Sequence, residues 1–175
     1  MAAFVDALEG LASDRLDPGQ VQAYLERTPL ASGTLEPYLF FRPGRYTRNL
    51  VQRTAAFEVL VLCWDVGQRA PVHGHEGEYC WARVERGRLR FTTYRVESDD
   101  PLVVVPVGPP VDAAPPYLDG PADIHAVENP VEFGAPAATL HVYARPYDAC
   151  DVYDLTRGVR KRVTLGYDSI HGQPL

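Results

Sequence analysis

The spacing of apolar residues changes once along the chain. Over residues 4–12, Phe4, Leu8 and Leu11 recur at intervals of four and three, which predicts one face of a helix. Asp17-Pro18-Gly19-Gln20 then reads as a second helix start, with Asp17 as N-cap, Pro18 in the first turn and Gln20 closing a capping box. Val21, Tyr24 and Leu25 form its apolar stripe. Two short helices of this kind, within about residues 3–27, need no role beyond packing on a sheet. From Tyr38 onward the period drops to two. Strands are expected at 45–53, 56–65, 72–75, 79–85, 89–96, 102–107, 124–128, 138–144 and 162–167. Glu85-Arg86-Gly87-Arg88 marks a tight turn, and Pro109 to Pro116 reads as a loop. A closed barrel or sandwich follows, mainly β, with the barrel over about residues 38–168 of a single domain spanning 1–175.

Composition fits that class. Fourteen Gly and sixteen Pro punctuate short segments, and 175 residues favour one domain. A formal net charge of −6 argues against a nucleic-acid groove or an anionic membrane surface as the main partner. The densest apolar run, Val59 to Trp64, is far short of the roughly 20 residues that cross a bilayer. The start, MAAFVDALEG, lacks the basic region of a signal peptide and carries Asp6 and Glu9 early. Cys63, Cys80 and Cys150 are too few and too scattered for a disulfide framework, so a cytoplasmic, reducing setting is expected.

The candidate chemistry lies in five histidines. His73 and His75 are two apart on an expected strand and project to the same face. Such a pair is equally at home on a surface, unless a third ligand joins it. Gly67, His73-x-His75 and Gly87 together resemble the first motif of the cupins, and His125-Ala126-Val127-Glu128-Asn129 resembles the His-x-x-x-Asn of the second. Gly120 and Ala122 depart from that second motif, and Cys80 stands near the slot of a Glu ligand in many cupins. The resemblance implies a jelly-roll barrel with a metal held by His73, His75 and His125. Three neutral imidazoles would leave a divalent metal its full charge and open positions, but imidazole suits iron, zinc, copper and nickel alike.

Further stretches resemble one cupin family, the cysteine dioxygenases. They are Tyr46-Thr47-Arg48-Asn49-Leu50-Val51, Leu62-Cys63-Trp64, Leu140-His141-Val142-Tyr143 and Pro146-Tyr147-Asp148-Ala149-Cys150, in the family's order. The resemblance implies mononuclear Fe(II) and oxidation of L-cysteine by O2 to cysteine sulfinic acid. It implies Arg48 as carboxylate partner, with Tyr46 orienting it or lining the pocket. Thr139, His141 and Tyr143 share one strand face and offer a hydroxyl, an imidazole and a phenol in line. The family's Cys–Tyr thioether would join Cys80 to Tyr143. Without the resemblance, Arg48 would pass for a surface ion-pair residue, the strand for a solvated one, and Cys80 for a small core residue. Cys63 and Cys150 are expected to be structural, His171 to be solvated, and the protein to be a monomer. Ala144-Arg145-Pro146 departs from the family's paired prolines, and Ala126 from a frequent arginine. The related 3-mercaptopropionate dioxygenases usually carry glutamine at the Arg48 position and no cysteine at position 80. They are the alternative reading, ahead of a non-catalytic metal- or ligand-binding cupin.

Overall fold

The computed structural model describes residues 1–12, 16–121 and 123–175; Ala122, one of the two departures from the second histidine motif, lies outside them. Two helices come first, α1 (Ala2–Leu11) and α2 (Pro18–Arg27). Asp17 caps α2 as its sequence predicts, its carboxylate accepting the Gln20 N–H at 2.9 Å. The strands follow in order: β1 (Thr47–Arg53), β2 (Phe57–Trp64), β3 (Arg69–Gly74), β4 (Cys80–Arg86), β5 (Leu89–Asp99), β6 (Leu102–Pro106) and β7 (Val111–Ala113). Then come β8 (Leu118–Asp119), β9 (Ile124–Glu128), β10 (Ala137–Ala144), β11 (Ala149–Asp154), β12 (Val159–Thr164), β13 (Ser169–Ile170) and β14 (Gln173–Pro174).

The strands form two sheets. The first has the order β14-β13-β1-β2-β10-β4-β8, and the second β12-β11-β3-β9-β5-β6, with β7 beside β5. Facing one another, they make the jelly-roll barrel of a cupin. Strand β2 is buried at every position, and so is β10. The reason is double cover. Phe57, Val59, Val61 and Cys63 pack with Leu8, Val21 and Leu25 of the helices, whereas Leu60, Leu62 and Trp64 pack into the barrel. Strands covered on both faces read as continuous apolar runs, which is how FEVLVLCW looks in the sequence. Among the described residues no helix is long and apolar enough to cross a membrane.

The outer strands differ from the sequence expectation. Strand β11 is absent from it, because Ala149–Asp154 alternates weakly and carries Asp151 and Asp154. Its partner β12 is exposed throughout, so hydrophobic alternation carries no signal there; the strand runs 159–164 instead of 162–167. The Pro109–Pro116 stretch is not all loop, since Val111–Ala113 pairs with Leu89–Phe91. The tight turn after β4 is as expected. Gly87 sits at φ +71°, where a Cβ would lie 2.5 Å from the Pro136 carbonyl oxygen.

One irregularity determines where the site lies. Along β3 and β9, Ala70 opposes Val127, but His73 opposes His125, so Pro71 and Val72 together face Ala126 alone. This is a β-bulge of one extra residue. Ala70 points into the barrel and Val72 out of it. Regular alternation from Ala70 would turn His73 outward. The bulge resets the parity and aims His73 inward. Pro71 is tolerated there because a bulge asks for no ladder N–H.

Candidate metal centre and thiol pocket

His73 ends the bulged part of β3, His75 stands one residue past the strand, and His125 lies on β9 beside them. Glu76 and Gly77 turn the chain sharply after His75, at φ +61° and +72°. The three rings lie edge to face with centroids 4.7–5.0 Å apart. One ligand nitrogen from each lies within 4.8 Å of the others. The Nδ1–H of His73 donates to the Pro71 carbonyl at 2.9 Å. That of His125 donates to the Asp119 carboxylate, also at 2.9 Å. These bonds fix the tautomers and leave both Nε2 lone pairs toward the cluster, the usual outer-shell arrangement of metal-binding imidazoles. The Nε2 of His125 is buried and has no hydrogen-bond partner among the described residues. Burial first, then the His125 ring and the Arg48 charge, pushes His73 down to about 3 against the weaker pull of the Pro71 carbonyl. Burial and the neighbouring His125 and His73 rings lower His75 as well. A cluster of neutral imidazole donors fits a divalent metal.

The cluster opens on a cavity of about 200 Å³, small for a ligand pocket. His73 and His125 form one wall; Arg48, Tyr143, Tyr46, Trp64, Tyr147 and Cys150 form others. Arg48 comes from β1. Its backbone N–H donates to Asp168 at 3.0 Å and its Nε–H to the Gly166 carbonyl at 3.2 Å. The guanidinium lies 6.0 Å from the Tyr143 ring centroid. Burial opposes its charge, but the Tyr143, Tyr46 and Tyr147 phenols and Glu58 more than offset this, so its pKa is raised. Tyr46 lies just before β1, not within it, yet lines the cavity and stacks on Trp64 at 4.5 Å.

On β10, the hydroxyl, imidazole and phenol form a chain with a fourth member. The Trp64 indole N–H donates to Thr139 Oγ1 at 3.1 Å. Thr139 Oγ1 lies 2.9 Å from His141 Nε2, and His141 Nδ1 lies 3.1 Å from the Tyr143 hydroxyl. An indole only donates, so it takes a Thr139 lone pair. Thr139 keeps its O–H and a second lone pair, so the chain closes with either imidazole tautomer. Burial holds His141 well below its ordinary value, with His125 and Arg48 adding to the effect. Burial and Cys80 raise Tyr143.

Cys80 and Tyr143 are directly opposed partners on β4 and β10. Burial, with Asp119 nearby, raises the Cys80 thiol. Gly120 is needed beside it: at φ +115°, a Cβ there would run into the Cys80 carbonyl oxygen. Cys63 is buried away from the cavity, against Asn49 and the Tyr38 carbonyl. Cys150, expected to be merely structural, lines the cavity. His171 is exposed, but its Nδ1 bonds the Val51 carbonyl at 2.9 Å. Arg145 adopts φ +79°, a left-handed conformation rare for a side-chain-bearing residue, and the cavity residue Tyr147 follows two positions later. The sequence names Trp64 only as part of the Leu62-Cys63-Trp64 motif and points to neither Asp119 nor Glu58 as a site residue; of those two, Glu58 alone carries a visible signal, as the sole charge in FEVLVLCW. A larger, open groove of about 530 Å³ is lined by Arg69, Arg90 and Lys161 among others, and among the described residues it holds no cluster of metal-ligating groups.

The chain matches the family described as Cysteine dioxygenase type I over residues 4–156. It is 29% identical to Cysteine dioxygenase type 1 of Homo sapiens over 164 residues, covering 92% of this chain and 82% of the human protein. The rat protein of that name is 29% identical over 167 residues, covering 94% and 83%. A solved Klebsiella pneumoniae protein with a double-stranded β-helix domain aligns with TM-score 0.47 and 17% identity, covering 73% of this chain and 99% of its own. An RmlC-like cupin from Desulfovibrio desulfuricans aligns with TM-score 0.44 and 21% identity, covering 67% and 99%.

Proposed function

The chain belongs to the cysteine dioxygenase type I family of non-haem iron thiol dioxygenases, and on that premise we propose that it oxidises L-cysteine to cysteine sulfinic acid with O2, using Fe(II) held by His73, His75 and His125. Both oxygen atoms enter the product, so R–SH and O2 give R–SO2H with no further reductant. The observation behind this reading is that the three-imidazole cluster borders a single small cavity that also holds the Arg48 guanidinium and the Tyr143 phenol. Bound there, Fe(II) would supply the site where the thiol and O2 meet and would pass to O2 the four electrons that the sulfur gives up.

The remaining work falls to the chain. Arg48 binds the substrate carboxylate through the fork of donors that its Gly166 contact leaves unused. Tyr143 turns its hydroxyl toward the same carboxylate, and the Trp64-Thr139-His141 chain holds that phenol in place. Tyr46, stacked on Trp64, walls the cavity beside Arg48 and keeps water from the ion pair. Cys80 forms a thioether to the Tyr143 ring. One S–H and one ring C–H are lost, a C–S bond forms, and O2 accepts the two electrons and two protons.

The test is anaerobic loading with Fe(II), then oxygen uptake and product mass with L-cysteine. Stoichiometric O2 consumption and a sulfinate product are expected; binding of cysteine without O2 uptake would indicate a non-catalytic cupin. A second reading is favoured by one observation: among the described residues lining the cavity, none is acidic. A substrate ammonium finds no carboxylate there, so a thiol acid without an amine, such as 3-mercaptopropionate, loses no protein contact. A higher kcat/KM for that acid than for cysteine would reassign the substrate.

A further inference from the structure

Glu58 is a buried carboxylate, 1% exposed, that the reaction above does not use. It sits in β2 directly opposite Tyr143 on β10, and opposite Arg53 on β1. Its Oε1 accepts the Tyr167 hydroxyl and faces Arg53 Nη1 at 3.4 Å. Arg53 also donates to the Tyr167 oxygen at 2.7 Å and pairs with Asp148 at 2.8 Å. The other oxygen, Oε2, lies 3.8 Å from Arg48 Nη2. That is too long for a hydrogen bond, so Glu58 acts on Arg48 by charge and takes none of its donors. Glu58 does not line the cavity and so does not touch the substrate.

We infer that Glu58, moderated by Tyr167, is a positioning residue that sets how much positive charge Arg48 presents to the substrate carboxylate. The inference rests on the proposed role of Arg48. Two carboxylates then share one cation, Glu58 from behind and the substrate from the cavity. In a buried site their mutual repulsion is poorly screened. Glu58 therefore weakens the hold on any carboxylate. The consequence is largest for the product, which keeps the substrate carboxylate and gains a sulfinate charge. A tempered Arg48 lets that product, with its two anionic groups, leave.

The test compares Glu58→Gln, which keeps shape and removes charge, with Tyr167→Phe, which removes the hydroxyl that partly neutralises Glu58. Both are assayed as iron-loaded enzyme with L-cysteine and with cysteamine, which has no carboxylate. Glu58→Gln should lower KM for cysteine about three- to tenfold, with cysteine sulfinate becoming a stronger inhibitor by at least that factor. Its kcat for cysteine should fall as release slows, while KM for cysteamine stays within about twofold. Tyr167→Phe should shift KM for cysteine the opposite way, upward by about two- to threefold. A merely structural role would move both variants in one direction and both substrates together. Either of those results overturns the inference, as does a raised cysteine KM in Glu58→Gln. If Glu58→Gln does not fold, the Tyr167→Phe result decides, and an unchanged or lowered cysteine KM there overturns the inference. Arg48→Ala separates the two levels. If it leaves the preference for cysteine over cysteamine intact, the carboxylate role of Arg48 fails. If it abolishes that preference and the Glu58 and Tyr167 variants change nothing, only the inference about Glu58 fails.

Discussion

The two walls of the cavity are built differently. Tyr143, His141 and Thr139 stand on β10, a strand with cover on both faces and β2 and β4 on its flanks. They face inward by plain alternation, each two residues from the next. On the opposite wall, β3 and β9, the described residues place no helix in the packing, and the outer surface carries a small cluster around Val72, Ile124 and Tyr153. There the histidines are aimed by a bulge, a turn with positive φ, and bonds from Pro71 and Asp119. The wall assigned to the carboxylate and the phenol is rigid through packing. The wall assigned to the metal is set by local geometry, and the metal itself would supply the missing restraint.

The largest effect should come from the metal wall. Replacing His73, His75 or His125 singly by Ala should abolish stoichiometric Fe(II) binding and turnover while leaving the barrel folded. Iron content after anaerobic loading and circular dichroism check this together. A single variant that keeps both full iron and normal turnover would remove that residue from the ligand set. On the rigid wall, Arg48→Ala should lower kcat/KM for cysteine roughly 30-fold to several-thousand-fold, since stranding one partner of a desolvated charge pair typically costs about 2–5 kcal/mol. Cysteamine turnover should be unaffected. Equal losses on both compounds would make Arg48 a structural residue of β1.

The contrast between the walls also explains what the sequence disclosed. The regular wall is the legible one: β10 differs from its expected bounds by one residue, and Thr139, His141 and Tyr143 share a face as their spacing requires. The inward aim of His73 is legible only by resemblance, because simple alternation from Ala70 predicts the wrong side; the cue is Pro71 inside a strand. Asp119 is invisible because its partner His125 is six residues away, in a stretch that no periodicity marks. Trp64 was read as part of a motif, and its donation to Thr139 depends on β2 lying beside β10, a pairing between residues 75 apart in sequence. The edge strand β12 is illegible because exposure erases the alternation that reveals inner strands, and β11 beside it because its burial does not alternate.

A subtler change to the metal wall tests whether its outer bonds matter. Asp119→Asn removes the charge that accepts His125 Nδ1–H while keeping the shape. Metal affinity should fall by about 10- to 100-fold, the usual cost of losing such a partner. Competition with a chelator reads this directly. Unchanged affinity would mean that packing alone, as on the opposite wall, fixes His125.

The smallest effect should come from Cys80, which borders the rigid wall and lends it a covalent restraint. Tyr143 is already held by the His141 hydrogen bond, by its neighbours in the sheet and by an edge-to-face contact with Tyr147 at 5.4 Å. A thioether therefore removes only the rotation that these contacts leave. Cys80→Ala should retain partial activity, within about tenfold of the parent, because the imidazoles and Arg48 are untouched. In the parent, repeated turnover should convert a growing fraction of the chain to a form lighter by about 2 Da, one hydrogen from each side chain. Peptide mapping should place the change in one cross-linked pair containing Cys80 and Tyr143. Unmodified residues after many turnovers would show that packing on this wall suffices without the bond. A loss in Cys80→Ala as deep as that of Arg48→Ala would show the reverse, that packing alone cannot hold the phenol.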